Sequence, residues 1–215
     1  MKREETREKI LETALELFRV RGYAETSMRE IAAKAGVATG LAYYYFASKD
    51  AIVLAFYDRA NSDLDPLLEQ AQKGKKLDGR LQAMIEAKLR YFEANRNFLG
   101  ALMGHAANPS SPLSPFGEPS RAIRETEFTH FQRALDETGT RIADDLKPHM
   151  AKILWMYQMG LILFWMYDNS AKQARTSKLL TASLRMVVAL IKLGNLPLMK
   201  PARKAVLELV EILES

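Results

Sequence analysis

The residue types best able to do chemistry are concentrated between Thr26 and Lys49, where the chain reads TSMREIAAKAGVATGLAYYYFASK. Three consecutive tyrosines, Tyr43 to Tyr45, offer phenol hydroxyls and flat rings on a stretch that carries no charge from Val37 to Ser48. Such a set suits recognition rather than bond-making. Ser27 and Glu30 have the spacing of a capping box, which starts a helix at Met28. Ile31, Ala32 and Ala35 give that helix a narrow apolar face, and Gly36 can take the left-handed conformation that ends it. A second helix can then run from about Thr39 to Phe46. Two short helices joined by a three- or four-residue turn with glycine form the unit that lays its second helix in a DNA major groove. A helical hairpin buried in a core shares this spacing, but its faces would be apolar rather than rich in tyrosine.

Other chemistries find little support. No glycine-rich phosphate loop, nucleophile elbow or close pair of catalytic-type carboxylates occurs, so no enzymatic activity and no cofactor is expected. Cysteine is absent, which excludes disulfides and thiolate metal sites and fits a cytoplasmic protein. His105, His130 and His149 offer no i, i+4 metal pair. The first nine residues are mostly charged, and no signal peptide is expected. The isoelectric point near 9.3 misleads about DNA. Residues 169–215 hold eight Lys and Arg against three Asp and Glu, which is the whole net surplus of +5. Phosphate affinity at the second helix must come from its ends, tyrosine hydroxyls and backbone amides.

The flanks supply the elements that position this segment. Upstream, Ile10, Leu11, Ala14, Leu15, Leu17 and Phe18 recur with helical period up to Gly22. Downstream, Ser48 can cap a longer helix running from about Lys49 to about Lys73. With these helix spacings, both glycine turns and an aromatic block ending in Phe46, the stretch Ile10–Phe56 resembles the tetracycline-repressor (TetR) family of bacterial regulators. The resemblance implies an all-α fold, with an N-terminal three-helix helix-turn-helix head at residues 1–50. A larger helical ligand-binding and dimerisation domain would occupy residues 51–215. It also implies DNA contacts: Thr26 to phosphate, and Arg29 to the groove or backbone. Thr39 and Gly40 would open the recognition helix against base edges, Tyr43 would face base or sugar, and Tyr44, Tyr45 and Lys49 would clamp phosphate. Two positions depart from the family pattern. Ala38 stands where a capping serine is usual, so Thr39 would have to lend the cap. Ala42 replaces the usual leucine and makes a smaller plug.

Past the head, Leu81 to Ala107 reads as two helices hinged near Asn95, and Gly100 with Gly104 predicts close helix packing. The stretch NPSSPLSPFGEP, Asn108 to Pro119, contains four prolines and cannot be helical. It is either a pocket lid or disordered, with disorder favoured. A helix from about Ser120 to Glu137 follows. Ile153 to Tyr167 is apolar except for Gln158 and Gly160. Its length of roughly 22 Å falls short of the ~30 Å hydrocarbon core of a bilayer, so it reads as a buried helix needing cover on every side. No membrane partner is expected. From Gln173 to Leu193, Leu180, Leu184, Val187, Val188 and Ile191 form an apolar face, with Lys178, Arg185 and Lys192 on another stripe. A short amphipathic helix, Pro201 to Leu213, closes the chain.

A homodimer is expected, because one such head buries too little DNA and normally works as a two-fold pair on half-sites one turn apart. The Ile153–Tyr167 and Leu180–Ile191 helices would form its isologous interface. The resemblance further implies a ligand-responsive regulator, a repressor on a palindromic double-stranded DNA operator, released when a small apolar effector moves the fourth helix. Candidate effector contacts are Tyr91, Phe98, Met103, Phe131, Trp155, Met159 and Trp165. Two alternatives stay open: a regulator of this type without a small-molecule inducer, and a helical lipid- or drug-binding protein with a vestigial head.

Overall fold

The computed structural model describes residues 2–106, 108 and 110–214, with the side chains at 2, 71, 103–106 and 211–214 left out. Among the described residues the chain forms α1 (Lys2–Arg21), α2 (Met28–Ala35), α3 (Thr39–Tyr45), α4 (Lys49–Gln72) and α5 (Leu77–Phe92). There follow α6 (Arg96–Ala106), α7 (Arg121–Glu137), α8 (Met150–Tyr167), α9 (Ala174–Leu193) and α10 (Lys200–Glu214), with no strand. The helices sort into two compact units, Met1–Leu64 with Arg90–Glu125, and Asp65–Leu89 with Thr126–Ser215.

In the first unit, Ile10, Leu11, Ala14, Leu15 and Phe18 form the buried face of α1. Ile31, Ala32 and Ala35 of α2, Ala42 of α3 and Ile52, Val53 and Phe56 of α4 are buried as well. The expected capping box is present: Ser27 Oγ accepts from the Glu30 N–H at 3.3 Å, and Glu30 accepts from the Ser27 N–H at 2.8 Å. Gly36 ends α2 at φ 68°, a conformation that glycine adopts without the Cβ penalty. Lys34 pairs with Glu16 at 2.6 Å, and Arg59 of α4 pairs with both Glu8 and Glu12 of α1. These pairs link α2 and α4 to α1 at the surface, beside the buried apolar contacts.

The hinge near Asn95 is a 3-10 turn, Glu93–Asn95, and Arg19 donates to the Asn95 side chain at 3.3 Å. A Cβ at Gly100 would meet nothing within 4 Å. Gly100 therefore mediates no close helix packing here, contrary to expectation, and Gly104 lies outside the described side chains. Residues 110–117 form turns rather than the disorder favoured from composition. Leu113 and Ser114 are buried, the Ser120 hydroxyl donates to Ser114 O at 2.7 Å, and Arg124 donates to Pro115 O at 2.7 Å. The Ser114 carbonyl also accepts from the Gly117 N–H at 3.1 Å, so backbone and side-chain donors together pair the carbonyls of this turn.

In the second unit, Leu154, Trp155, Leu161 and Trp165 of α8 and Leu180, Leu184, Val188 and Ile191 of α9 are buried. Asp168 fastens the start of α9 by accepting from the Ser170 N–H at 2.9 Å and from the N–H and hydroxyl of Thr176 at 2.8 Å each. One side of α8 is uncovered, with Leu163, Phe164 and Tyr167 exposed. On α9 the exposed stripe is Leu179, Met186, Leu190 and Leu193. The Leu180–Ile191 face is spent inside the unit. Among the described residues no single helix is long and apolar enough to cross a membrane.

Candidate nucleic-acid interface

The second helix of the motif presents what the sequence suggests. Ala42 and Phe46 are buried and anchor it, while Thr39, Gly40, Leu41, Tyr43 and Tyr44 are exposed. Tyr43 keeps 51% and Tyr44 63% of its surface exposed. Tyr45 is half-buried and meets Tyr44 edge-on at 5.3 Å. A Cβ at Gly40 would also meet nothing within 4 Å, so the protein itself does not demand glycine there. No side chain caps α3, so Thr39 does not replace the missing serine.

Two of the expected phosphate contacts are otherwise engaged. Thr26 is 2% exposed, and its hydroxyl donates to Gly22 O at 2.8 Å. It closes the turn between α1 and α2 instead of facing outward. The Lys49 ammonium donates to Tyr23 O at 2.6 Å and Ala24 O at 3.3 Å, and lies 4.4 Å from the centre of the Tyr23 ring. Burial is the main influence lowering the pKa of this amine. The Tyr23 hydroxyl in turn donates to Asp50, and burial foremost raises its pKa. Lys49 is therefore part of the joint that holds α4 to the α1–α2 turn. Arg29, by contrast, is exposed and makes no hydrogen bond or ion pair among the described residues.

Two cations on α1 were not singled out from sequence. Arg3 donates to the Tyr44 hydroxyl at 2.6 Å and sits 5.4 Å from its ring centre. Arg7 lies 5.0 Å from the centre of the Phe46 ring. Their i, i+4 spacing was a usable signal, since such residues share a helix face. They bring positive charge to the rim of a helix that has none.

The residues proposed for an effector do not gather in one unit. Tyr91 and Phe98 belong to the first. Tyr91 donates to Asp63 at 2.6 Å, with burial foremost and then Asp63 pushing its pKa up to about 12. Phe98 is buried, stacks on Phe18 at 5.2 Å and lies 6.5 Å from Phe56, joining α6 to α1 and α4. Phe131, Trp155 and Trp165 are buried in the second unit, and Met159 there is half-buried. The Met103 side chain lies outside the described residues.

A glycine-bearing turn, a firmly anchored short helix and exposed tyrosines along it define a helix-turn-helix DNA-binding protein. Residues 10–56 match the family model of bacterial regulatory proteins, tetR family, and residues 80–211 match the tetracyclin repressor-like C-terminal domain. The chain belongs to the TetR family of transcriptional regulators. It is 25% identical over 172 residues to the regulator AcrR of Shigella flexneri, covering 76% of this chain and 80% of that protein. It is 29% identical over 102 residues to the uncharacterized HTH-type regulator YerO of Bacillus subtilis (strain 168). That match covers 46% of this chain and only 35% of YerO. FadR of Thermus thermophilus, a repressor solved in complex with lauroyl-CoA, shares the fold at a TM-score of 0.59 and 24% identity. The superposition covers 83% of this chain and 93% of that one.

Proposed function

We propose that this chain represses transcription by occupying a two-fold DNA operator as a homodimer, and that a small effector with an apolar body releases it. The observation that carries the reading is the exposure of Tyr43 and Tyr44 on a helix whose other side is locked by Ala42 and Phe46. Exposed phenols on a fixed helix offer a partner both hydrogen-bonding hydroxyls and flat rings. Tyr43, Thr39 and Arg29 would meet base edges or sugar, and a bidentate Arg–guanine contact supplies about 1–3 kcal/mol of discrimination. Tyr44, held by Arg3, would grip phosphate from the rim.

Pairing of two copies is supported by the uncovered apolar stripe of α9 and the exposed Leu163, Phe164 and Tyr167 of α8. Ala182 and Ala189 on α9 are also exposed and permit close approach of a second helix pair. FadR holds its lauroyl-CoA on this same fold, which supports small-molecule control. Coupling of this type is worth about 1–3 kcal/mol, or a 5–150-fold change in operator affinity.

Electrophoretic mobility shift on the DNA upstream of the gene tests the reading. The protein should shift that DNA, and Tyr43→Ala with Tyr44→Ala should weaken the shift at least tenfold, about 1.4 kcal/mol. Equal binding by the double variant sinks the interface. Tight binding of apolar ligands with no shift at all would favour the lipid- or drug-binding alternative.

A further inference from the structure

A buried polar cluster lies within the second unit. Lys88 of α5 forms an ion pair with Glu127 of α7, and both side chains are at least nine-tenths buried. Gln158, on the otherwise apolar α8, donates its Nε2–H to Glu127 at 3.2 Å and is 2% exposed. His130, one turn after Glu127 and 5% exposed, has its Nε2 3.2 Å from the Asp65 carboxylate of α4. Arg133 also reaches Asp65, at 3.4 Å. Two atoms in this cluster, Gln158 Oε1 and His130 Nδ1, are buried and hydrogen-bond to no residue among those described.

Both are acceptors. Turning the Gln158 amide over would set its oxygen against the Glu127 carboxylate, so the carbonyl is the unpaired end. Burial foremost lowers the His130 pKa, which favours the neutral imidazole, against the pull of Glu127 and Asp65 and with the push of Lys88 and Arg133. With the Nε2 proton directed at Asp65, Nδ1 presents a lone pair. Around them the same helices bury Leu81, Met84, Ile85, Phe131, Leu154 and Trp155. A buried ion pair is a poor device for stability, since apolar residues of equal volume commonly serve as well or better. Unpaired acceptors beside it add further cost. Recognition explains the arrangement where stability does not.

We infer that Gln158 Oε1 and His130 Nδ1 form a recognition site for a neutral effector that donates two hydrogen bonds from a primary carboxamide head on an apolar body. A carboxylate head would face two acceptors and Glu127, and an ammonium head would sit beside Lys88. The unpaired atoms therefore select donors without charge. The inference rests on the effector-responsive reading above and names the chemistry of the effector. His130 also touches Asp65, so occupancy at Nδ1 would bear directly on a residue of α4.

Calorimetry on the full-length protein with decanamide, N,N-dimethyldecanamide and decanoate tests it. Decanamide should bind at least tenfold more tightly than either comparator. In Gln158→Met and in His130→Leu, each checked for retained operator binding, the preference should fall below threefold. The three probes compared on the unaltered protein decide the matter even if a variant fails to fold. Equal binding of all three, no binding of decanamide, or a preference that survives in both variants overturns the site. Operator binding without any probe tests the repressor reading separately, so loss of one is distinguishable from loss of the other.

Discussion

Arg3, near the start of α1, donates a 2.6 Å hydrogen bond to the hydroxyl of Tyr44 on α3, across a separation of 41 residues. The guanidinium also lies over the ring, so one cation orients the most exposed tyrosine of the recognition helix. Arg3→Ala and Tyr44→Phe should each weaken operator binding, and the double variant should lose less than the sum of the two. Fluorescence anisotropy on labelled operator measures the cycle. Strict additivity would mean that the pair does not act as a unit on DNA.

Gly40→Ala separates folding from recognition. The open space around the position and the better helix propensity of alanine should leave the melting temperature unchanged or raise stability by up to about 1 kcal/mol. Operator affinity should nonetheless fall several-fold, because the added methyl group stands in the proposed DNA interface. Unaltered affinity would remove Gly40 from the interface.

The recognition helix has no charged residue, and Arg3 and Arg7 of α1 reach it from its rim. The slope of log K against log salt for one dimer should therefore be shallower than about −10. Arg29→Ala should reduce the slope further if Arg29 meets phosphate. It should relax base preference at one position, with little effect on slope, if it reads a base. A titration at several salt concentrations distinguishes these results.

Dimerisation should depend on the exposed α9 stripe, where Met186 keeps 59% and Leu190 52% of its surface exposed. Leu190→Asp places a charge in the proposed interface and should yield a species of 24.3 kDa by sedimentation. Helix content should be unchanged, and operator affinity should drop with the loss of the paired head. A dimer of undiminished stability would move the interface elsewhere.

Asp168 gives a pH-dependent handle on the α8–α9 joint. Four donors from Ser170 and Thr176 hold its carboxyl below the ordinary aspartate value, outweighing burial, which acts in the opposite direction. A carboxyl whose pKa is depressed by folding contributes stability that is present above its unfolded pKa of ~3.9 and fades as pH falls toward the folded value. Asp168→Ala should lower the melting temperature at neutral pH, and the gap should narrow as the pH is taken below about 4. A gap independent of pH would show that the joint is held by packing instead.

Sequence alone determined the local elements: the capping box at Ser27 and Glu30, the glycine end of α2, the apolar period of α1 and the hinge near Asn95. Each depends on residues within a few positions of one another, so spacing carries the information. Tertiary structure decided what spacing cannot express. It spends Thr26 and Lys49 on the joints around Gly22 and Tyr23, lays Arg3 against Tyr44, and seats Phe98 between Phe18 and Phe56. It also selects which flank of α9 is buried and draws Lys88 of α5, Glu127 and His130 of α7 and Gln158 of α8 together. Such partners are chosen by the packing of distant segments, where burial and the need to pair every polar group, rather than periodicity, set the outcome.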